Sequence, residues 1–287
     1  MNYLLDNIYR EYRFSMGDAD IVFFSNHDSL SESPDTGLPH SHKLYELFHI
    51  LEGSMTILTD SAEYSIKQED TIIVAPETTH CLRVPAGTKR LCMIFAIEKN
   101  PTVPSSGSYD GFLNVFSEDI TRFHSSHLIT GFQRCAKYIE NDYPEKDELI
   151  SACLHEIMAL MKTTSAQQEE GSPAESISHT QSSRTYLIDH YFTNNFQNGS
   201  LTELAGLLHL SSQQTQRVIK KMYGQSFSER LTMMKMQLAK TLLQETKLSI
   251  TQISEKCGYT GPNGFFVAFK KYYGSTPNRL KNQIDKS

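Results

Sequence analysis

The 287-residue sequence has no apolar run near eighteen residues, which excludes a membrane-spanning helix. Met1 is followed by Asn, Asp and Arg residues rather than by an apolar stretch, so no secretory signal is predicted. The five cysteines, Cys81, Cys92, Cys135, Cys153 and Cys257, contain no CxxC pair, which points to buried thiols in a reducing cytoplasm. Positive charge is scarce at the front: residues 1–183 hold 13 Lys+Arg against 27 Asp+Glu, net −14. Residues 184–287 reverse this with 14 against 6, net +8, in a chain whose total is −6. A basic third joined to an acidic two-thirds is the footprint of a nucleic-acid reader on a separate domain. Between the two, residues 163–185 (TTSAQQEEGSPAESISHTQSSRT) have almost no apolar content and read as a flexible linker.

What the basic third does contain is a pattern written twice. Ser200, Leu201, Leu204 and Leu210 pair with Ser249, Ile250, Ile253 and Tyr259 at an offset of 49. Ile219, Lys220, Lys221, Tyr223 and Gly224 pair with Phe269, Lys270, Lys271, Tyr273 and Gly274 at an offset of 50. The extra residue falls near Gly261, in the middle of the second copy, where a turn tolerates insertion. Each copy reads as helix, turn, helix. S-L-T-E, S-S-Q-Q, S-F-S-E from Ser226 to Glu229, and S-I-T-Q supply capping boxes, Pro262 is an N-terminal helix proline, and Gly224 and Gly274 are helix stops. Two units are too few for a solenoid, where three or more are usual. Gln213, Gln216 and Arg217 stand at i, i+3 and i+4 and share a helix face. Gln pairs bidentately with adenine and Arg with guanine in the major groove, with Lys220 and Lys221 on the phosphate side. A merely solvated polar face is the plainer alternative, and the charge reversal weighs against it. Ser228–Thr246 has no Pro or Gly and reads as a linking helix about 24 Å long. With the hairpins added, it spaces two readers about 34 Å apart, one DNA turn.

These hundred residues resemble the AraC/XylS family of bacterial transcription regulators. The resemblance rests on A-G-L-L-H-L-S, I-K-K-M-Y-G, A-K-T-L-L, I-S-E-K-C-G-Y and F-V-A-F-K-K-Y-Y-G-S-T-P, in that order. It implies a double helix-turn-helix over residues 184–287. Base contacts would come from Gln213, Gln216 and Arg217 in the first copy and from Asn263, Phe266 and Val267 in the second. Lys270 and Lys271 then repeat Lys220 and Lys221. The resemblance also implies double-stranded promoter DNA and RNA polymerase as partners, a homodimer, a small-molecule effector and, in most relatives, activation. Lys235 and Lys281 depart from it by standing where Arg is usual.

Residues 20–97 have a β texture of short β-branched and aromatic runs: DIVFFS, LYELFHIL, SMTILT, EYSIK, DTIIVA, HCLRV and RLCMIFAI. Such runs predict a small antiparallel barrel or sandwich. Within them His40, His42, Glu46 and Gly53 give H-x-H-x3-E-x6-G, and His80 follows, a spacing that resembles the two motifs of cupins. Strand alternation puts Glu46, Phe48 and Ile50 on one face. The effector residues expected from this reading are Phe24, His40, His42, Glu46, Phe48 and His80, with Tyr45 as a further aromatic wall. A sugar suits them; urea-like, bile-acid and aromatic effectors stay open. Three His and a carboxylate also suit a divalent metal, so a metal-dependent cupin enzyme fused to a DNA reader is the second reading. Glu69 and Glu77 where the second motif usually has glycine, and Ala75 where it has proline, weigh against it. Residues 127–163 predict two helices broken near Pro144, with an apolar stripe that packs on the β domain and, by the resemblance, is a dimer contact. The expected organisation is α+β with two domains: a cupin-like barrel with a helical hairpin (1–163), a linker (164–183) and an all-α double helix-turn-helix (184–287). The expected protein is a cytoplasmic regulator and not an enzyme, without membrane or metal.

Overall fold

The computed structural model describes residues 9–25, 30–32, 35–36, 39–59, 61–165 and 179–284. The chain divides into two units, one of residues 1–37 and 41–186 and the other of residues 38–40 and 187–287.

The first unit holds eleven described strands: β1 (Arg10–Met16), β2 (Ala19–Ser25), β3 (Leu30–Ser31), β4 (Asp35–Thr36), β5 (Tyr45–Glu52), β6 (Ser54–Thr59), β7 (Glu63–Lys67), β8 (Thr71–Val74), β9 (His80–Val84), β10 (Lys89–Lys99) and β11 (Ile120–Phe123). They form two antiparallel sheets. One runs β1-β2-β10-β5-β8-β11 with β3 also on β10, and the other runs β4-β9-β6-β7. The antiparallel β domain is as expected, and its two sheets pack face to face; among the described residues no strand pairing joins them. Gly53 makes one corner. It alone separates β5 from β6, and its φ of 82° turns the chain out of one sheet into the other instead of folding back as a hairpin.

Both faces of the large sheet are covered, and alternation decides which residue goes where. Tyr45, Leu47, Phe23, Phe95 and Met93 point to one face, where they pack with α1 (Ser108–Val115), α2 (Ser126–Glu140) and α3 (Lys146–Ser165). Phe48, Ile50, Ile72 and Val74 point to the other, against Met55, Ile57, Ile66, Leu82 and Val84 of the small sheet. Tyr45 thus stacks on Phe95 at 5.0 Å in the helix-side core, and the expectation that it lines the effector site is corrected by its odd register. The stripe on α2 and α3 is likewise inside the unit: Leu128, Phe132, Cys135, Leu154, Ile157 and Met161 are all buried. The large apolar residues left exposed among those described, Val103, Val267 and Tyr272, lie elsewhere.

Of the linker expected at 164–183, residues 166–178 lie outside the described residues. Its ends do not fit a linker. Ser165 closes α3, and α4 (His179–Asn195) has already begun by His179. Three apolar residues just past its end, Tyr186, Leu187 and Ile188, are buried and make the helix worth forming.

The second unit consists of α5 (Leu201–Leu207), α6 (Ser212–Tyr223), α7 (Phe227–Glu245), α8 (Ile250–Lys256), α9 (Pro262–Tyr273) and α10 (Pro277–Ile284), together with the end of α4. It has two cores. Ile188, Tyr191 and Phe192 of α4 meet Leu204, Ile219, Phe227 and Met234, and Met236, Ala239 and Leu243 meet Ile253, Cys257, Phe265 and Phe269. Helix α7 feeds the first core from its start and the second from its end, so one helix holds two hairpins. Complete capping boxes start α6 (Ser211/Gln214), α7 (Ser226/Glu229) and α8 (Ser249/Gln252). The box expected at Ser200 is half made: Ser200 Oγ accepts from the Glu203 amide, but the Glu203 carboxylate instead accepts from Tyr191 Oη at 2.7 Å. Each hairpin turn needs one left-handed residue, supplied by His209 (φ 51°) in the first copy and Gly258 (φ 74°) in the second. Lys235 and Lys281 donate to carbonyls, Gly258 O at 3.3 Å and Leu248 O at 2.6 Å.

Candidate functional sites: two reader helices and a histidine–glutamate cluster

Helices α6 and α9 bury the same positions. Thr215 and Ile219 are inside on α6, as are Phe265 and Phe269 on α9. That leaves Gln213, Arg217, Lys220 and Lys221 exposed, and at the matching places Asn263, Val267, Lys270 and Lys271. Gln216 and Phe266, one step round the helix, are half-buried. All ten residues expected to meet DNA are thus on outward or bordering positions of two helices built alike. Val267 is 71% exposed, the position that Arg217 takes in the first copy. A branched apolar group left in water at that place suits the methyl of thymine rather than a core. The paired lysines end each helix, where the carbonyl end of the helix dipole favours cations. The copies differ at one exposed place that the sequence reading missed: Tyr272 is 45% exposed where Met222 is half-buried.

In the first unit the structure brings together His42, Glu46 and His80. Glu46 comes from β5, on the face toward the small sheet. His80 opens β9 in that small sheet, and His42 precedes β5. All three are buried. His42 Nε2 and His80 Nε2 each lie 3.0 Å from the same oxygen, Glu46 Oε2. Their other ring nitrogens face backbone carbonyls, His42 Nδ1 on Leu44 O at 2.6 Å and His80 Nδ1 on Thr78 O at 3.0 Å. A carbonyl only accepts, so each Nδ1 carries a proton and each Nε2 turns toward the carboxylate. Burial pushes the Glu46 carboxyl up. Hydrogen bonds from His42 and His80, with the attraction of their charge, outweigh that and hold it well below the usual carboxylate range. Glu46 is then ionised, and its oxygen cannot donate. Both Nε2 atoms and a carboxylate oxygen thus converge on one point.

Cys92, absent from the sequence-based set, completes the cluster by donating from Sγ to Glu46 Oε1 at 3.3 Å. Its register opposite Phe48 puts it on the inner face, but that pairing cannot be read from either strand alone. Phe48 lies deeper, in the apolar core between the sheets. Phe24 is on the same face, two strands away, and is covered by Tyr186. His40 is half-buried and is counted with the second unit, so the cluster of the first unit rests on three side chains and a thiol. Glu69 and Glu77, standing where glycine is usual in cupins, adopt the left-handed backbone that glycine favours, at φ 72° and 67°. The turns survive the substitutions. Lys43 pairs with Glu77, and the Glu77 amide donates to His42 O at 2.7 Å, which ties the second motif to the first.

Residues 204–283 match a protein family described as a helix-turn-helix domain. The uncharacterised HTH-type transcriptional regulator YtdP of Bacillus subtilis is 33% identical over 98 residues, 34% of this chain and 12% of that protein. A second regulator from Bacillus subtilis, YfiF, is 21% identical over 278 residues, 95% of this chain and 87% of that protein. The HTH-type transcriptional activator RhaS of Yersinia pestis is 21% identical over 264 residues, 88% of this chain and 93% of that protein. The chain thus spans an eighth of one relative and most of the other two. All three carry names of transcription regulators.

Proposed function

We propose that this chain, whose residues 204–283 match a helix-turn-helix domain family, is a one-component transcription regulator of the AraC/XylS type. The observation that carries the reading is the matched exposure of α6 and α9 within residues 184–287, a stretch of net charge +8. Helix α7, 19 residues and so about 28 Å long, is of the right order to set two readers one DNA turn apart. One chain would then enter two consecutive major grooves of promoter DNA, with Gln213, Gln216 and Arg217 reading bases. Phe266 and Val267 would add apolar contact and Asn263 hydrogen bonds, and Lys220, Lys221, Lys270 and Lys271 would sit on phosphates. The β unit would bind a small effector at His42, Glu46 and His80, with Glu46 accepting hydrogen bonds from ligand hydroxyls. RNA polymerase contact, activation, a cytoplasmic place and a regulator's rather than an enzyme's role belong to the same reading. A dimer would need a surface other than the buried stripe of α2 and α3. A fragment from His179 to Ser287 keeps both cores of the second unit whole. It is expected to fold alone and to bind DNA selected from a random pool, with affinity falling steeply as salt rises. A folded fragment without DNA affinity refutes the assignment.

One observation favours a metal in the same place. His42 Nε2, His80 Nε2 and a Glu46 oxygen belong to a group of ligand atoms that lie within 4.8 Å of one another, close enough to share one ion. Two His and one carboxylate suit a first-row divalent ion. His42, His80 and Glu46 would hold it, and when bound it would supply a positive charge to polarise a ligand oxygen. Under the effector reading, His42→Ala and Glu46→Gln abolish the response while the C-terminal fragment binds DNA as before. Protein purified without added metal then carries far less than one equivalent, and chelator leaves its melting temperature unchanged. Stoichiometric metal that is lost in both variants, with a chelator-induced fall in melting temperature, would establish the metal reading instead, because metal binding adds to folding stability.

A further inference from the structure

Phe24, Ile94, Glu46 and Val74 lie in one row across β2, β10, β5 and β8, each paired with the next. Directly paired residues project to the same face, and strands are about 4.8 Å apart, so Phe24 and Glu46 are separated by roughly 10 Å. Between them β10 is unusual. Arg90 and Ala96 on this face are buried, but Cys92 and Ile94 are only half-buried. Solvent therefore reaches the inner face at this row. The floor is Cys92 and Ile94, the polar end is His42, Glu46 and His80, and the apolar end is Phe24.

Phe24 is itself 1% exposed, and the residue that covers it comes from far along the chain. The Tyr186 ring stacks on Phe24 with centroids 4.7 Å apart and planes 10° apart. Tyr9 closes the group edge-on, 5.5 Å from Phe24 and 4.8 Å from Tyr186. Tyr186 belongs to α4, a helix shared by both units. Its ring is in the core of the first unit, and Ile188, Tyr191 and Phe192 are in the core of the second. A change at Tyr186 falls on a helix whose next turns the DNA-reading unit has buried.

We propose that Tyr186 is the apolar wall of the effector site and the residue through which occupancy of that site reaches the DNA-reading unit. This rests on the effector reading above. The ligand it implies carries hydroxyl or amine donors for Glu46 and, about 10 Å away, an apolar ring face that competes with or stacks beside the Tyr186 ring. A side chain so placed reports a ligand by moving, and α4 carries the movement without any contact between ligand and reader.

The chain contains no tryptophan, so Tyr186→Trp gives a single fluorophore at the wall. Cys92 gives a way to fill the site without knowing the ligand. Benzyl methanethiosulfonate transfers a benzylthio group: the Cys92 thiolate attacks the sulfenyl sulfur, an S–S bond forms and methanesulfinate leaves. Cys81→Ser removes the other half-buried thiol, and Cys135, Cys153 and Cys257 are buried. In the full chain carrying Tyr186→Trp, labelling is expected to move the indole emission to the red. It is also expected to change affinity for a DNA site selected by the unlabelled protein by roughly 5-fold or more, the lower end of ordinary allosteric coupling. Both effects should be missing when Cys92→Ser is added. With Tyr186→Leu the label should leave DNA affinity unchanged. If Tyr186→Trp does not fold, Phe24→Trp reads the same ring pair from its other side. Stoichiometric labelling with no emission change would overturn the wall, and an emission change with unaltered DNA affinity would overturn the transmission. Neither result would touch the effector reading itself, which stands or falls on the response of His42→Ala and Glu46→Gln.

Discussion

Arg217→Ala is expected to cost about 1–3 kcal/mol of binding, confined to one base position of the DNA site. Arg217 is exposed on α6, one turn after Gln213, with Thr215 and Ile219 anchoring the opposite face. A guanidinium there can give two parallel hydrogen bonds to guanine, and alanine removes both together with the discrimination they provide. Lys271→Ala should behave differently. Lys271 lies in the last turn of α9, where on the proposed docking a cation would meet phosphate and no base edge. Its loss should weaken all sequences alike and lower the slope of log affinity against log salt by about one. Footprinting of both variants on the selected site and on scrambled sites, at several salt concentrations, separates the two roles. Equal effects on cognate and scrambled DNA for Arg217→Ala would take base readout away from the first copy. The place on α9 that matches Arg217 holds Val267, so readout at that place is limited to thymine methyl contact, and hydrogen-bonded readout by the second copy would fall to Asn263.

The two reader helices are legible because their signals are local. A serine with Gln three residues on before α6, a proline at the start of α9 and a glycine after each are contained in or beside one helix, and the structure forms both helices within a residue or two of expectation. The strands SMTILT, EYSIK and HCLRV are equally plain. What cannot be read is what depends on partners distant in sequence. Arg10–Met16 has too few β-branched residues to stand out, and it is a strand because β2 offers it a full edge. Cys92 reaches Glu46 only through the pairing of β10 with β5. Tyr45 falls on the helix side of the sheet, although an aromatic one residue from Glu46 looks like part of the same site; strand alternation alone separates them. Tyr186 is hidden by the polar stretch before it, since a low apolar content over twenty residues says nothing of the helix that starts at its end. Glu69 and Glu77 stand where the cupin resemblance expects glycine, and each takes the positive φ that glycine favours, which a turn can hold in a non-glycine residue at a modest cost.

Acid is expected to remove about 3 kcal/mol of stability from the β unit between pH 6.5 and pH 4, and His49 is the cause. His49 is on β5, on the face opposite Glu46, and is 1% exposed. Its ring stacks on Phe132 of α2 at 4.3 Å, and Nδ1 is 2.9 Å from Thr71 Oγ1. Burial pushes its pKa down to about 4, and the nearby Asp70 opposes this without reversing it. An exposed histidine in the unfolded chain titrates near 6.5, so between these values the unfolded state holds a proton that the folded state refuses. The unfolded state binding more protons means that stability rises with pH in this window, is fully present above about 6.5, and is lost as pH falls toward 4. Glu46 also has a depressed value, but a carboxylate with an unfolded value near 4.5 loses its contribution only below that pH, so the two windows lie side by side. Denaturant midpoints of the β unit's transition, measured from about pH 7 to about pH 4 in the full chain, give the wild-type slope. His49→Leu keeps an apolar group against Phe132 and cannot take up a proton, and its stability should be nearly flat across the same range even if it is lower at neutral pH through the loss of the Thr71 bond. A variant that falls as steeply as the wild type would show that His49 is not the group that refuses the proton.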